Sequence, residues 1–131
     1  MSDLKKSYSN LERALNELDD YLSVSTPSKV ERAGIIQGFE FCFELFWKLF
    51  KKISEDEGLQ AGSPKAALRA AYQQQFFKDQ DLWLQMLEDR NLTVHTYNEQ
   101  LSKDIYSRIK SHYKAEFDRV FKEIKGKFPG N

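Results

Sequence analysis

The sequence contains little glycine, proline or cysteine, and it lacks the alternating runs that mark β-strands. Six Gly and three Pro occur in 131 residues, and Val, Thr and Ile are scattered rather than clustered. Both features favour helices. The one cysteine, Cys42, cannot form a disulfide within the chain and lies in an apolar run. We therefore expect a buried thiol in a reducing, cytoplasmic compartment.

Several functional patterns are also missing. The richest apolar segment, residues 34–50, is interrupted by charged side chains and predicts no membrane span. No Gly-rich phosphate loop or nucleophile elbow occurs. The two histidines, His95 and His112, are seventeen residues apart without a ligand pattern around them. We therefore expect neither a metal nor a cofactor, and we expect His112 to be an ordinary boundary residue.

Charge is balanced over the whole chain but uneven along it. The totals are 20 Lys and Arg against 20 Asp and Glu, which excludes a general attraction to nucleic acid. Residues 103–127 nevertheless carry an excess of four positive charges. This stretch forms either a phosphate-binding surface or an ordinary solvated helix face.

Apolar residues recur at steps of three and four, which is the spacing of amphipathic helices. The predicted helices cover residues 4–22, 29–55, 64–75, 79–90 and 97–125. Long helices joined by short loops predict an all-α, up-and-down four-helix bundle with one extra short helix, formed by residues 1–131 as a single domain. Ten Phe are many for one bundle of this size, and an exposed surplus would favour a dimer interface.

Three short motifs predict where helices begin. Ser28 and Glu31 form a capping box, in which a hydroxyl and a carboxylate satisfy free backbone N–H groups. Ser63 followed by Pro64 predicts a second helix start. Residues 96–99, T-Y-N-E, form another capping box that opens the final helix.

Two carboxylates, Glu40 and Glu44, share a polar stripe on the aromatic second helix. Like charges four residues apart repel each other unless a cation neutralises them. We expect Lys48, four residues after Glu44, to do so. Three alternatives remain open: the stripe faces a second subunit, one carboxylate orders Arg90, or the pair performs acid–base chemistry.

The segment from Arg90 to Tyr97 contains the side chains of a metal-free ribonuclease site. On one helix Arg90 and His95 would point about 140° apart, but a turn between two helices can bring them to one pocket. Arg supplies a forked, permanently charged phosphate donor. His carries a proton near neutral pH and would activate a ribose 2′-hydroxyl, while Arg stabilises charge on the phosphate. Asn91 adds an amide, and Tyr97 a hydroxyl and a stacking ring.

The N-terminus of the final helix adds unpaired N–H groups that favour an anion. A purely structural interpretation also accounts for these residues. In that interpretation Arg90 pairs with Asp89 or Glu88, His95 caps a helix, and Tyr97 packs in the core. Spacing alone does not exclude it.

A resemblance to a known family favours the functional interpretation. Residues 90–97, R-N-L-T-V-H-T-Y, match the R-x-x-x-x-H-x-Y motif of the HEPN family, including a polar residue directly after the arginine. Residues 31–48, the Ser63-Pro64 pair and residues 83–91 are similar to the HEPN branch of nucleotidyltransferase substrate-binding proteins, the HepT-like toxins.

The resemblance implies a HEPN-like homodimer whose two motif segments line a shared cleft. Arg90 and His95 would be catalytic, with Asn91 and Thr96 supporting them and Tyr97 as an AMP acceptor. The implied partner is a minimal nucleotidyltransferase that acts as antitoxin to an RNA-cleaving toxin. The alternative function is a non-catalytic subunit that binds a nucleotide or substrate for that nucleotidyltransferase.

Overall fold

The computed structural model describes residues 4–130, and within that range it contains helices and no strand. The elements are α1 (Leu4–Leu22), α2 (Lys29–Asp56), α3 (Pro64–Gln73), α4 (Gln80–Leu92), a 3-10 turn (Thr93–His95), α5 (Glu99–Arg108), a π-helical turn (Ile109–Tyr113) and α6 (Lys114–Lys127). The last three follow one another without a break and together form the final helix. The predicted all-α four-helix bundle with an extra short helix, α3, is confirmed.

Two of the three predicted helix starts are confirmed. The Ser28 hydroxyl accepts a hydrogen bond from the Glu31 amide at 3.1 Å, and the Ser28 amide donates to the Glu31 carboxylate at 2.8 Å. Ser63 accepts from Ala66, with Pro64 at the first helical position. Local sequence therefore defines the beginnings of α2 and α3.

The predicted start of the final helix at Thr96 is wrong. The N-cap is Asn98, whose side-chain oxygen accepts from the Leu101 amide at 3.0 Å. Thr96 donates its amide to the Thr93 carbonyl and has φ −71° and ψ −3°. An N-cap needs an extended backbone, which Asn98 has and Thr96 does not. The 3-10 turn before Thr96 thus displaces the helix start by two residues.

Aromatic side chains of α2 form the centre of the core. Phe39, Phe43, Phe46 and Phe50 are fully buried there. The Phe46 ring stacks on Phe117 of α6 with centroids 4.9 Å apart. Each such side chain contributes about 1.5–3 kcal/mol by leaving water.

The surplus of phenylalanine lies in this core rather than on the surface. Eight of the ten Phe are buried, and Phe41 is the one that is clearly exposed, at 55%. Cys42 is buried as predicted, and burial raises the pKa of its thiol to about 12. None of the helices in residues 4–130 is long and apolar enough to cross a membrane.

The helices α1 and α2 approach closely at Gly38. A Cβ atom at this position would lie 3.3 Å from Leu18 Cδ1 and 3.4 Å from the Tyr21 ring. A side chain at this position would therefore require Leu18 and Tyr21 to shift by a few tenths of an ångström. The close contact leaves the next turn of α2, which includes Phe41 and Glu44, beside a groove of about 450 Å³ between the two helices.

Candidate active site

The motif segment lies where the chain reverses between α4 and α5. The Thr93 hydroxyl donates to the Arg90 carbonyl at 2.7 Å and closes the last turn of α4. The Asn98 amide then donates to the His95 carbonyl at 3.0 Å. These local bonds form a short reversal whose side chains at positions 94, 95 and 97 are exposed.

Arg90 is bound by a carboxylate of α2. Its Nη2 atom lies 2.6 Å from Glu44 Oε1, and the other oxygen of Glu44 accepts a 2.6 Å hydrogen bond from Trp47 Nε1. The expectation that Lys48 neutralises Glu44 holds only in part. Lys48 lowers the pKa of Glu44 as a nearby positive charge but forms no ion pair with it within residues 4–130, and Arg90 makes the direct contact. The alternative in which one carboxylate orders Arg90 is the arrangement found.

The electrostatics of this pair favour the ionised carboxylate. Burial raises the pKa of Glu44, but hydrogen bonds from Arg90 and Trp47, together with nearby positive charge, outweigh burial and lower it. Glu44 is therefore an anion at neutral pH. Arg90 remains 38% exposed in its side chain, and a guanidinium has five N–H donors. It can thus hold Glu44 and still present donors to a phosphate.

His95 and Tyr97 form the second part of the site. The Tyr97 hydroxyl lies 3.0 Å from His95 Nδ1, and the two rings are nearly perpendicular with centroids 5.7 Å apart. Tyr97 is 78% exposed, so the interpretation that packs it in the core is wrong. When Nδ1–H donates to the tyrosine oxygen, Nε2 keeps its lone pair and can accept a proton.

The other candidate residues lie around these two pairs. No hydrogen bond within residues 4–130 joins Arg90 to His95. Asn91 is exposed and lines a broad groove along α4 with Glu88 and Lys65, rather than contacting the imidazole. Thr96 is half-buried and acts through its backbone amide, which donates to the Thr93 carbonyl.

Asp89, the residue before Arg90, belongs to a buried cluster that sequence reasoning missed. Its carboxylate accepts hydrogen bonds from Arg108 Nε at 2.7 Å, Arg108 Nη2 at 2.8 Å and the Tyr113 hydroxyl at 2.5 Å. The hydrogen bonds to Asp89 raise the pKa of Arg108. Burial raises the pKa of Tyr113, and the hydrogen bond to Asp89 raises it further. Asp89 therefore does not pair with Arg90, as the structural interpretation expected.

The start of α5 is held by a buried arginine of α2. Arg32 donates from Nε to the Ser102 hydroxyl at 3.0 Å, and its Nη2 lies 3.8 Å from Glu99. The anion site predicted at this helix N-terminus is weakened by two features. Asn98 already occupies the Leu101 amide, and Glu99 places a carboxylate in the first turn.

The basic stretch of residues 103–127 is largely paired. Five of its eight Lys and Arg side chains lie within 3.7 Å of a carboxylate: Lys103, Arg108, Lys114, Arg119 and Lys127. This pattern favours the solvated-face interpretation over a phosphate-binding surface. His112 is exposed within the π-helical turn. Among residues 4–130 no three His, Cys, Asp or Glu side chains are grouped as metal ligands would be.

The fold and the site define a class of small helical-bundle proteins that carry an Arg, a His and a Tyr at the reversal between two helices. The chain belongs to the family described as "Nucleotidyltransferase substrate binding protein like", whose sequence profile matches residues 1–126. The HepT-like family relationship expected from the sequence is therefore confirmed.

The chain is also similar to individual proteins of known sequence or structure. It is 32% identical over 82 residues to a Haemophilus influenzae protein named "Probable ribonuclease HepT", a match over 59% of this chain and 56% of that protein. The chain thus spans little more than half the length of this curated relative. A crystal structure of a Thermus thermophilus protein is 38% identical with a TM-score of 0.75, over 91% of this chain and 98% of the other.

A second solved structure supports the fold alone. It is a Haemophilus influenzae protein described as having the fold of a substrate binding domain of a nucleotidyltransferase. The identity is 24% and the TM-score 0.66, over 93% of this chain and 96% of the other. The helical bundle is therefore shared even where most residues differ.

Proposed function

We propose that this protein is a metal-free endoribonuclease that acts as the toxin of a pair with a minimal nucleotidyltransferase. The observation that supports the proposal best is the His95–Tyr97 hydrogen bond on an exposed reversal, directly after an arginine that Glu44 holds in place. The named relative, a probable ribonuclease, agrees with it.

The reaction follows from the proton-carrying capacity of His95. Its Nε2 takes the proton of a ribose 2′-hydroxyl, and the 2′-oxygen forms a bond to the adjacent phosphorus. The bond from phosphorus to the 5′-oxygen breaks, and that oxygen takes a proton from the imidazolium or from water. The products are a 2′,3′-cyclic phosphate and a 5′-hydroxyl. Arg90 stabilises the additional negative charge on the phosphoryl oxygens.

Two further side chains prepare these groups. Tyr97 holds the His95 ring through its contact with Nδ1. In the tautomer that acts as a base, Nδ1–H donates to the tyrosine oxygen and Nε2 is free. Glu44 orders the guanidinium of Arg90 before RNA arrives, which lowers the entropic cost of binding the phosphate. Asn91 and Thr96 support the segment, Asn91 through its exposed amide and Thr96 through the backbone of the turn.

We propose that transfer of AMP to the Tyr97 hydroxyl regulates RNA cleavage. Its oxygen attacks the α-phosphorus of ATP held by the nucleotidyltransferase, pyrophosphate leaves, and the phenol proton passes to a base. The bulky, charged AMP group would then cover His95 and repel RNA. A mass increase of one or more AMP units after incubation with partner and ATP should be absent in Tyr97→Phe; a persistent increase would identify another acceptor.

The working unit of this proposal is a cytoplasmic homodimer of single-domain chains, residues 1–131. Phe41 is the exposed phenylalanine available to an interface, and it lies on α2 one turn before Glu44. A dimer would place two copies of the Arg90 and His95 groups near one RNA. Light scattering at micromolar concentration tests this part, and a monomer there would contradict it.

A second candidate function is a non-catalytic subunit that binds a nucleotide or substrate for the nucleotidyltransferase. The pairing of Arg90 with Glu44 and the paired basic stretch favour it, because both reduce the positive charge offered to RNA. It predicts a stable complex with the partner and no RNA cleavage.

The deciding experiment is RNA cleavage by the protein purified without its partner, compared with His95→Ala and His112→Ala. Both histidines are exposed, so neither change should unfold the bundle. We expect His95→Ala to lower the cleavage rate about 10²- to 10⁴-fold, with cyclic phosphate ends in the wild-type product. His112→Ala should cleave like the wild type.

Each other outcome has a definite meaning. Equal cleavage by wild type and His95→Ala would indicate a contaminating nuclease or another site. No cleavage by a correctly folded protein, together with co-purification of the nucleotidyltransferase, would favour the binding-subunit function.

A further inference from the structure

The π-helical turn of the final helix has a specific consequence for Asp89. Arg108 immediately precedes this turn and Tyr113 ends it, so the two are five residues apart. In a regular α-helix they would point about 140° apart and would not face the same carboxylate. A π-helical turn closes its hydrogen bonds from residue i to i+5 and therefore brings two such side chains to the same face. Both contact Asp89 in the structure.

The cluster fixes the last turn of α4 from the inside. Asp89 is 3% exposed in its side chain and accepts three hydrogen bonds, two of them from one guanidinium. Such a forked pair restricts rotation as well as distance. The last turn of α4 is therefore tied to the final helix at residue 89.

The same cluster bears on the direction of the Arg90 side chain. Neighbours on a helix point about 100° apart, so Asp89 faces the final helix while Arg90 faces α2. Arg108 and Tyr113 hold Asp89 on the side of α4 that faces the final helix. The Arg90 side chain is directed toward α2, where it pairs with Glu44 at 2.6 Å.

We propose that Asp89, Arg108 and Tyr113, brought together by the π-helical turn, are positioning residues that hold Arg90 in register with Glu44. The consequence of this positioning for RNA cleavage rests on the function proposed above. Its consequence for the Arg90 side chain does not, because that side chain can be observed without RNA.

A matched ion pair on the same helix separates positioning from simple stability. Arg119 makes the same forked contact with Glu116, at 3.1 and 2.9 Å. Glu116 is on the final helix and also accepts a hydrogen bond from Trp83 Nε1 at 2.8 Å. Trp83 lies near the start of α4, so this pair contacts α4 away from the last turn that contains Arg90. Arg108→Gln removes a guanidinium from the contact with Asp89, and Arg119→Gln removes one from the contact with Glu116.

The first measurement is nitrogen-15 NMR of the arginine side chains, with Arg90 assigned by the signal lost in Arg90→Lys. In the wild type and in Arg119→Gln we expect separate, slowly exchanging Nη signals from Arg90, because Glu44 restrains it. In Arg108→Gln these signals should merge, as they should in Glu44→Gln. Unchanged Arg90 signals in a folded Arg108→Gln protein would overturn the proposal.

The second measurement is steady-state cleavage of RNA. We expect Arg108→Gln to lower kcat about tenfold to a hundredfold with little change in KM, and Arg119→Gln to keep the wild-type kcat. An equal decrease of kcat in the two variants would mean that the cluster contributes only to stability. If Arg108→Gln does not fold, Tyr113→Phe replaces it, because that change removes one hydrogen bond and keeps the ring; it should shift the Arg90 signals in the same direction.

The two proposals fail separately. If the wild type cleaves no RNA, the NMR comparison alone decides the positioning role, and the nuclease proposal falls. If the wild type cleaves RNA but Arg108→Gln matches Arg119→Gln in kcat and in the Arg90 signals, the nuclease proposal stands and the positioning role falls.

Discussion

The two halves of the motif are held in different ways. Arg90 lies on the last turn of α4, beside a buried carboxylate with three hydrogen bonds and opposite a carboxylate of α2. His95 and Tyr97 lie on an exposed reversal held by local backbone bonds and by their own contact. A charge stabiliser works best when it is fixed before the reaction, since reorienting it during the reaction is costly. A proton carrier must instead adjust to the position of its substrate.

The largest effect on stability should come from the buried half. Asp89→Ala removes the acceptor of three hydrogen bonds and leaves the Arg108 guanidinium and the Tyr113 hydroxyl unpaired. We expect the free energy of unfolding to fall by about 3 kcal/mol or more. His95→Ala, on the exposed half, should change it by less than about 0.5 kcal/mol. Urea denaturation followed by circular dichroism measures the free energy of unfolding of both variants. Similar values would contradict the difference between the buried and the exposed half of the motif.

The parts of the fold that depend on neighbouring residues could be predicted from the sequence. Helix bounds follow from three- and four-residue apolar spacing, and the Ser28 and Ser63 caps depend on groups three residues away. The Thr96 cap was wrong because two cap residues, Thr96 and Asn98, stand close together. The choice between them depends on the 3-10 turn before them, which leaves no periodic signal.

The long-range pairs could be predicted only in part. Arg90, His95 and Tyr97 were found through their residue types and a family motif. The Glu44–Arg90 pair spans 46 residues and appeared only as one of several alternatives. The Asp89 cluster could not be found, because its five-residue spacing has meaning only once the π-helical turn is known. Tertiary packing selects among partners that are chemically equivalent in the sequence.

A smaller effect should distinguish the two candidate caps on the exposed half. Asn98→Ala removes the acceptor of the Leu101 amide and should lower the free energy of unfolding by about 1 kcal/mol. Thr96→Ala should have little effect, because the side chain of Thr96 makes no hydrogen bond within residues 4–130. Chemical denaturation of the two variants decides between the caps. A larger loss in Thr96→Ala would restore Thr96 as the cap.

A further small effect, which should depend on pH, is expected from Glu44. The folded state lowers the pKa of this carboxyl, whereas the unfolded chain keeps the ordinary value of about 4.3. The ionised form therefore stabilises the fold above about pH 4.3, and this contribution is lost as pH falls through the lower folded-state pKa. The pair with Arg90 is partly exposed. The free energy of unfolding of the wild type should therefore exceed that of Glu44→Gln by at most about 1 kcal/mol at neutral pH.

The pH profile of that difference is the informative quantity. It should be constant from neutral pH down to about pH 5, shrink below it and vanish in stronger acid. Glu40→Gln is the matched control, because Glu40 lies one turn earlier on the same stripe and makes no ion pair within residues 4–130. A Glu44→Gln difference that stays constant into acid would mean that the Arg90 contact is not ionic. Glu44 would then contribute to the site by shape alone, and the fixed half of the motif would depend on Asp89 and its partners.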